Sequence, residues 1–321
     1  MRASRKNGAD LQRAMLIFAF VAVSFWTLVV LQWYFSGEIA PALLIGYSLA
    51  AVGGSIAFFI ALPRQRRTFA RRMVMIVTGT LLIGVAFASR RGNMQIEGLF
   101  FGLLTSLSLP VVLHYAIAKI FGPLLMGRIW CGWACWYSMV YDLLPYKSGD
   151  RMISPRWGRL RYLHFGVSLA LVLGLWFVFG YRDGALGEVA QLWFFFGLLL
   201  YHLIGVGLAI ALHDNRAFCK YLCPIAVPLK AVSRYSLLKI KGERSVCAAC
   251  ETQVCVKVCP MNIRIPDYVL ESKRVLSTEC TLCQECLNTC PDDALKLSFG
   301  FDVGGDERLD VQLPAARSAR S

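Results

Sequence analysis

Apolar runs near the length that crosses a bilayer, about 20 residues, occupy residues 14–35, 42–62, 73–89, 98–120, 162–181 and 190–212. Polar breaks separate them, so the pattern predicts six membrane helices. The third run is short and meets Arg90 and Arg91 at once. The first is too long for a secretory leader and has no small-residue cleavage pattern behind it, which makes it an uncleaved anchor. Ahead of it, residues 1–13 form a polar N-terminus, and 14–239 form the membrane domain. Beyond Pro224 the hydrophobicity falls, and residues 240–300 predict a small soluble domain. The polar tail, 301–321, lacks periodicity and is expected to be disordered.

Composition agrees with this division. Hydrophobic residues make up 57% of the 321 and charged residues 17%, against about a quarter charged in ordinary soluble domains. The formal net charge is +14. Its placement reads as topology and not as a nucleic-acid surface, so no nucleic-acid partner is expected. The N-terminal "MRASRK", the stretch "PRQRRTFARR" at 63–72 and the segment from Arg128 to Arg161 are basic, whereas "SGEIAP" at 36–41 has no Lys or Arg and "YRDGALGEVA" has one. Basic loops stay in the cytoplasm. Both termini are therefore expected on the cytoplasmic side of a bacterial inner membrane, with Arg90 and Arg91 opposing that orientation.

All twelve cysteines fall in four clusters, all on the predicted cytoplasmic side. Cys280, Cys283, Cys286 and Cys290, followed by Pro291, have the C-x2-C-x2-C-x3-C-P spacing of a bacterial two-cluster ferredoxin, in which the fourth thiolate ligates the other cluster. Three ligands on one tight loop wrap three corners of an iron-sulphur cube, and the loop's N-H groups can point at its sulphides. The earlier run, Cys247, Cys250, Cys255 and Cys259 before Pro260, has two extra residues between its second and third cysteines. The expected assignment is one [4Fe-4S] cluster on Cys247, Cys250, Cys255 and Cys290, and a second on Cys280, Cys283, Cys286 and Cys259. Structural zinc needs four ligands, not eight with Cys-Pro punctuation. The expected fold is thus a multi-pass α-helical membrane protein with a small C-terminal two-[4Fe-4S] ferredoxin-like α+β domain.

"GRIWCGWACW" sets Cys131 and Cys135 just beyond the fourth apolar run, and "RAFCKYLCPIAVP" sets Cys219 and Cys223 beyond the sixth. Cysteines four apart on a helical turn face one way. The two pairs could supply a third site at the membrane edge, either another iron-sulphur cluster, a different metal such as copper, or a cycling dithiol. Inert packing thiols are the remaining reading.

Membrane helices, two Cys-x-x-x-Cys motifs at helix ends and a C-terminal pair of ferredoxin-type runs together resemble the NapH, MauN, NosR and CcoG group of bacterial membrane iron-sulphur proteins, over residues 98–295. The resemblance implies electron transfer between the membrane, often a quinol, and a partner oxidoreductase or maturation pathway. Two departures stand out. Trp136 follows the first motif where the group commonly has Pro, and three predicted helices precede the shared core.

Ionisable residues inside spans are functional candidates. His114 and His202 could contact a quinol, hold a haem, or pack with a hydrogen bond. Asp142 and Asp214 flank the membrane-edge motifs, where they could take quinol protons or sit as solvated turn residues. Trp130, Trp133 and Trp136 fit an interfacial aromatic belt. No substrate pocket is evident in the pattern, so the expectation is a relay subunit of an oxidoreductase system, with a metal-reducing assembly factor (copper, for example) and a redox sensor as rivals.

Overall fold

The computed structural model describes residues 39–88, 92–105, 109–146, 154–182 and 187–310, with isolated positions before residue 39. The apolar run at 14–35, Arg90 and Arg91 lie outside the stretches so described. Helices α1 (Ile39–Ala61) and α2 (Arg64–Ala88) pack together across a break at Pro63. Pro63 has no N-H to continue the first helix. Arg67, one turn into α2, donates from Nε to the Leu62 carbonyl at 3.0 Å and from Nη2 to the Ile60 carbonyl at 3.1 Å, covering carbonyls that α1 leaves unpaired at its end. The basic stretch 63–72, expected as a loop, is therefore largely helix. Arginine is a good helix former, and nothing after Pro63 breaks the turn.

The apolar run at 98–120 does not form one straight helix. It becomes α3 (Ile96–Leu104), α4 (Leu109–Tyr115), a π-helical turn (Ala116–Phe121) and α5 (Gly122–Met126). Two prolines account for this. Pro110 has no N-H with which a helix running on from α3 could continue its ladder. Pro123 removes a donor from the ladder, and the Gly122 N-H reaches back five residues to the Ile117 carbonyl. Gly127, at φ 54°, then turns the chain into α6 (Ile129–Trp133) and α7 (Trp136–Tyr141). The pieces Val111–Met126 and Ile129–Tyr141 meet at 100°, as in a broken or re-entrant span.

After a 3-10 turn (Pro155–Arg159) come α8 (Leu160–Phe177) and α9 (Glu188–Leu212), which fall where 162–181 and 190–212 were expected. Among the described residues three helices are long and apolar enough to cross a membrane, Arg64–Phe87, Arg156–Phe177 and Glu188–Leu212, or four with the bent pair. Their shared core is aromatic: Phe101, Tyr115, Trp136, Tyr137, Tyr141, Phe194 and Phe218 are buried together. Tyr141 donates to the Tyr201 carbonyl at 2.6 Å. Two short helices, α10 (Ala217–Tyr221) and α11 (Ala226–Ser233), lead out of this core.

The C-terminal module is closed by an antiparallel ribbon of β1 (Leu238–Gly242) and β2 (Leu295–Phe299), in the register Leu238 opposite Phe299 and Gly242 opposite Leu295. Between the strands lie α12 (Arg244–Ala248), α13 (Val254–Lys257), α14 (Ile265–Leu270) and α15 (Glu285–Thr289). Ile240, Met261, Ile263, Ile265, Val269, Val275 and Leu295 fill its core. The expected disorder from residue 301 is corrected as far as 310. Gly304 and Gly305 donate to the Arg234 and Leu276 carbonyls, Ile263 bridges Leu309, and Glu307 accepts from Ser277 and Thr278. Backbone pairing and a carboxylate hold a stretch that has no apolar period.

Candidate functional site

Each membrane-edge motif is a one-turn helix followed by a break. Cys131 sits in α6, Ala134 leaves helical backbone, and Cys135 is extended at φ −74°, ψ 120°. Cys219 sits in α10, which ends at Leu222, and the N-H groups of Leu222 and Cys223 both turn back to the Phe218 carbonyl at 2.9 Å. The two cysteines of a motif thus do not share a continuous helical turn, because the cap residue between them redirects the chain. The four thiols nevertheless form one group. Burial pushes the Cys219 thiol up to about 11, and negative charge on Cys135 and Cys131 adds to the rise. Cys223 is raised further by burial and by the other three.

Cations surround this group. Lys119 lies within electrostatic reach of Cys131, Cys135 and Cys223, with its Nζ 4.5 Å from the Trp130 ring centre. Arg128 is close to Cys131 and Cys223, and Arg216 to Cys219. All three are at most 5% exposed. Buried cations are kept only where negative charge faces them; Glu279 supplies it for Arg128 and Asp142 for Arg216, and the thiol group faces all three cations.

The eight C-terminal thiols fall into two further groups. Cys259, Cys283 and Cys286 are buried, Cys280 is half-buried, and the four lie within electrostatic reach of one another. Burial pushes Cys280 up to about 12 and Cys283 to about 11, and Cys286 is raised well above the ordinary thiol value by burial and its three neighbours. One cavity is lined by all four of them, together with Ile240, Ile263, Ile265 and Val275. Cys247, Cys250, Cys255 and Cys290 make the other group. Burial and the neighbouring Cys247 and Cys290 raise Cys255 to about 12, while Cys250 is lowered by a hydrogen bond with Thr252 and lies at the surface. Cys286 is also coupled to Cys255, so the two groups adjoin.

The backbone around these thiols suits an anionic cluster. Gln253, Asn262, Leu282 and Gln284 all have positive φ without being glycine, and alternating left-handed residues turn successive N-H groups inward to form an anion nest. The Ile263 N-H donates to Cys259 Sγ at 3.4 Å. Thiols this buried are costly as bare thiolates, and iron in a sulphide core supplies the missing positive charge. Among the described residues no three His, Cys, Asp or Glu side chains converge on a single metal ion. A cube, by contrast, holds its ligands apart at separate corners. The residues therefore fit iron-sulphur clusters.

The membrane-edge group is bolted to the Cys280 loop. A Cβ on Gly132 would stand 2.4 Å from the Thr281 carbonyl oxygen, and only glycine permits that approach. Trp133 Nε1 donates to the Leu282 carbonyl at 2.9 Å. Arg71 donates to Glu285 at 2.8 Å, Asp142 at 2.8 Å and the Gly132 carbonyl at 3.0 Å. Arg216 donates to both Asp142 oxygens at 2.7 and 2.8 Å, to the Cys131 carbonyl at 3.0 Å and to Ser138 Oγ at 2.5 Å. Lys220, inside the second motif, pairs with Asp214 at 2.6 Å and with Asn262. Glu279 accepts from Arg128, Arg161 and Lys230.

Asp142 and Asp214 are thus buried counter-ions at 5% and 1% exposure. The ring nitrogens of His202 lie 2.8 Å from the Leu198 carbonyl and 3.2 Å from the Trp136 carbonyl, and the His114 ring lies among Trp130, Trp136 and Tyr115. Trp136 is a core residue, 5% exposed, not a belt residue. Sequence reasoning passed over Lys119, Arg71 and Arg216. Lys119 stood alone inside an apolar run, which was a signal for it. Arg71 was counted only as a topology marker, and Arg216 only as the residue that opens the second cysteine motif.

The family described as a 4Fe-4S binding domain matches residues 108–159 and 193–241, the two stretches that carry the membrane-edge motifs. This defines the chain's class, an iron-sulphur protein with helices long and apolar enough to cross a membrane. It is 30% identical to the ferredoxin-type protein NapH of Haemophilus influenzae over 60% of this chain and 69% of that protein. It is 28% identical to the methylamine utilization ferredoxin-type protein MauN of Methylobacillus flagellatus, over 65% and 76% of the two chains. The regulatory protein NosR of Pseudomonas aeruginosa is 26% identical over 53% of this chain and 24% of its own length. The chain belongs to this NapH, MauN and NosR family of iron-sulphur proteins. No solved structure matches it significantly.

Proposed function

We propose that the chain relays electrons between the membrane quinol pool and a partner redox enzyme. Two [4Fe-4S] clusters are assigned to Cys247, Cys250, Cys255 and Cys290, and to Cys259, Cys280, Cys283 and Cys286, and a third iron-sulphur cluster to Cys131, Cys135, Cys219 and Cys223. Clusters of this kind supply one-electron carriage. The observation that carries the reading is the serial arrangement of the thiol groups: the middle group is bolted to the membrane edge through Gly132, Trp133 and Arg71 and adjoins the surface group through Cys286 and Cys255.

The chain's own residues supply charge balance and dryness. Lys119, Arg128 and Arg216 compensate the membrane-edge thiolates, and Ile240, Ile263 and Val275 keep water from the middle group. The surface group, in which all four cysteines are only partly buried, is where a partner would dock. The ferredoxin-type names of NapH and MauN support this role. The distribution of Lys and Arg supports an inner-membrane placement with termini and thiols on the cytoplasmic side.

Anaerobic purification with iron and sulphide quantitation, followed by EPR of the reduced protein, tests the assignment. About twelve irons per chain are expected if all three groups hold cubes, and about eight if only the C-terminal module does. Colourless protein without acid-labile sulphide would overturn the reading.

A further inference from the structure

Between α1, α2 and the segment carrying Cys131 lies an apolar pocket of about 510 Å³, within the size range of small-molecule sites. Phe59 and Val74 form its helical walls, and Trp130 and Trp133 close it on the side of the membrane-edge thiols. Trp133 is held in place edge-on to Phe59 at 4.8 Å and by its bond to the Leu282 carbonyl. Gln284, next to Cys283, also reaches the pocket. One polar atom in its wall is unexplained. Thr78 is 9% exposed and its Oγ1 has no hydrogen-bond partner, not even the carbonyl one turn back that a helical threonine commonly uses.

Thr78 and Gln284 lie at different depths. Arg71 of α2 bonds Glu285, the neighbour of Gln284, and Thr78 is seven residues further along the same helix, about 10 Å deeper. An acyl chain would fill the apolar space and leave the buried hydroxyl unsatisfied, which is costly. A ligand with an acceptor oxygen on an apolar body removes that cost. The pocket is walled by α1 and α2 and by residues that flank both thiol groups, Trp130 and Ala134 beside Cys131 and Cys135 and Gln284 beside Cys283, so an occupant that is lipid-soluble and redox-active suits it.

We propose that this pocket binds the headgroup of a membrane quinone or quinol, with Thr78 donating to a ring oxygen and Phe59, Trp130 and Trp133 packing on the ring. This rests on the relay reading and locates its membrane-side ligand on the α1–α2 pair, away from His114 and His202. Thr78 and Gln284 are positioning groups for the ligand, and the two tryptophans report its arrival.

The test uses the full-length protein purified anaerobically with its iron content measured. Decylubiquinone, a short-chain benzoquinone, is titrated against tryptophan fluorescence in nanodiscs of defined phospholipid, with lauric acid as the acyl-chain control. Saturable quenching by the quinone and none by the fatty acid is expected. Thr78→Val, which keeps the shape and removes the hydroxyl, should weaken binding several-fold to about tenfold. Ile56→Trp, which fills the pocket from the partly exposed face of α1, should abolish it with iron content unchanged.

Equal quenching in wild type and both variants, or competition by lauric acid, overturns the pocket assignment. Appearance of the iron-sulphur EPR signals when dithionite reduces the clusters, and their loss when a soluble dye reoxidises them, reads the relay separately. If that exchange persists while quinone fails to bind, the pocket proposal falls and the relay stands. Absence of iron-sulphur signal in intact protein removes both.

Discussion

Glu279 is the point at which the C-terminal module is most heavily tied to the membrane domain. It is 4% exposed and accepts from Arg128 at 2.6 Å, Arg161 at 3.0 Å and Lys230 at 2.5 Å. Burial alone would raise its pKa, but the three cations overcome that and hold the carboxyl far below the usual carboxylate range. Replacing it with Gln keeps the shape and removes the charge. Lys230 can then turn to Glu307, 3.8 Å away, and Arg161 keeps the Gly158 carbonyl at 2.9 Å. Arg128, 1% exposed, retains the Thr278 carbonyl at 3.4 Å and its place beside Cys131 and Cys223, but no carboxylate.

The main loss is therefore the carboxylate partner of one buried guanidinium, which costs about 3–5 kcal/mol. That corresponds to a fall of roughly 10 °C in the unfolding midpoint for a chain of this size. The assay is thermal loss of cluster absorbance in detergent, followed in parallel by tryptic release of the C-terminal module. Glu271→Gln is the control, since Glu271 meets Arg308 and Lys273 in solvent and should change neither readout. An unchanged midpoint in Glu279→Gln would refute the reasoning that the three-cation clamp holds the module down.

Gly132→Ala places a methyl 2.4 Å from one backbone atom and 3.4 Å from another, Cys283 Cα, with no side chain that can swing away. It should cost about 1–3 kcal/mol and slow electron exchange between the membrane-edge and middle groups in rapid-mixing measurements, whereas wild-type kinetics would show that the close approach is dispensable. Asp142→Asn leaves Arg71 and Arg216 facing each other with no shared carboxylate; iron should fall to about eight per chain as the membrane-edge group loses its frame, and full iron content would contradict this. For Asp302, partial burial opposes ionisation, but Arg274 at 2.6 Å and Lys239 at 2.5 Å hold its pKa below the usual value. Its stabilisation is complete above the unfolded carboxyl pKa of about 3.9 and is lost as pH falls through the lower folded value. The difference between wild type and Asp302→Asn in hydrogen exchange of the β1–β2 amides should accordingly narrow below about pH 4, and a gap that widens there would reverse the sign.

Long uniform elements were legible in the sequence because hydrophobic length alone decides them. The runs at 162–181 and 190–212 appear as α8 and α9, and the run at 42–62 lies within two residues of α1 at its C-terminal end. The run at 98–120 was misread as one helix because hydropathy is blind to which N-H groups are missing, and Pro110 and Pro123 each remove one. Charge was the other blind spot. Arg71 and Arg67 look alike in a basic stretch, yet one caps carbonyls and the other is 3% exposed between three acceptors. Which of two neighbouring arginines turns inward depends on carboxylates such as Glu285, 214 residues away in sequence. The polar tail misled for the same reason, since Glu307 finds Ser277 and Thr278 only once the module has folded.

Because β1 and β2 lie side by side, with Leu238 opposite Phe299, the segment bearing eight cysteines enters and leaves its host at a single doorway. Such a unit behaves as a cartridge. It can be clipped into a different membrane base, exchanged for a longer or shorter version, or moved between hosts by recombination, provided the threshold, where Gly132, Trp133, Arg71 and Lys220 meet the module and Glu279 meets its three cations, is matched to the new frame.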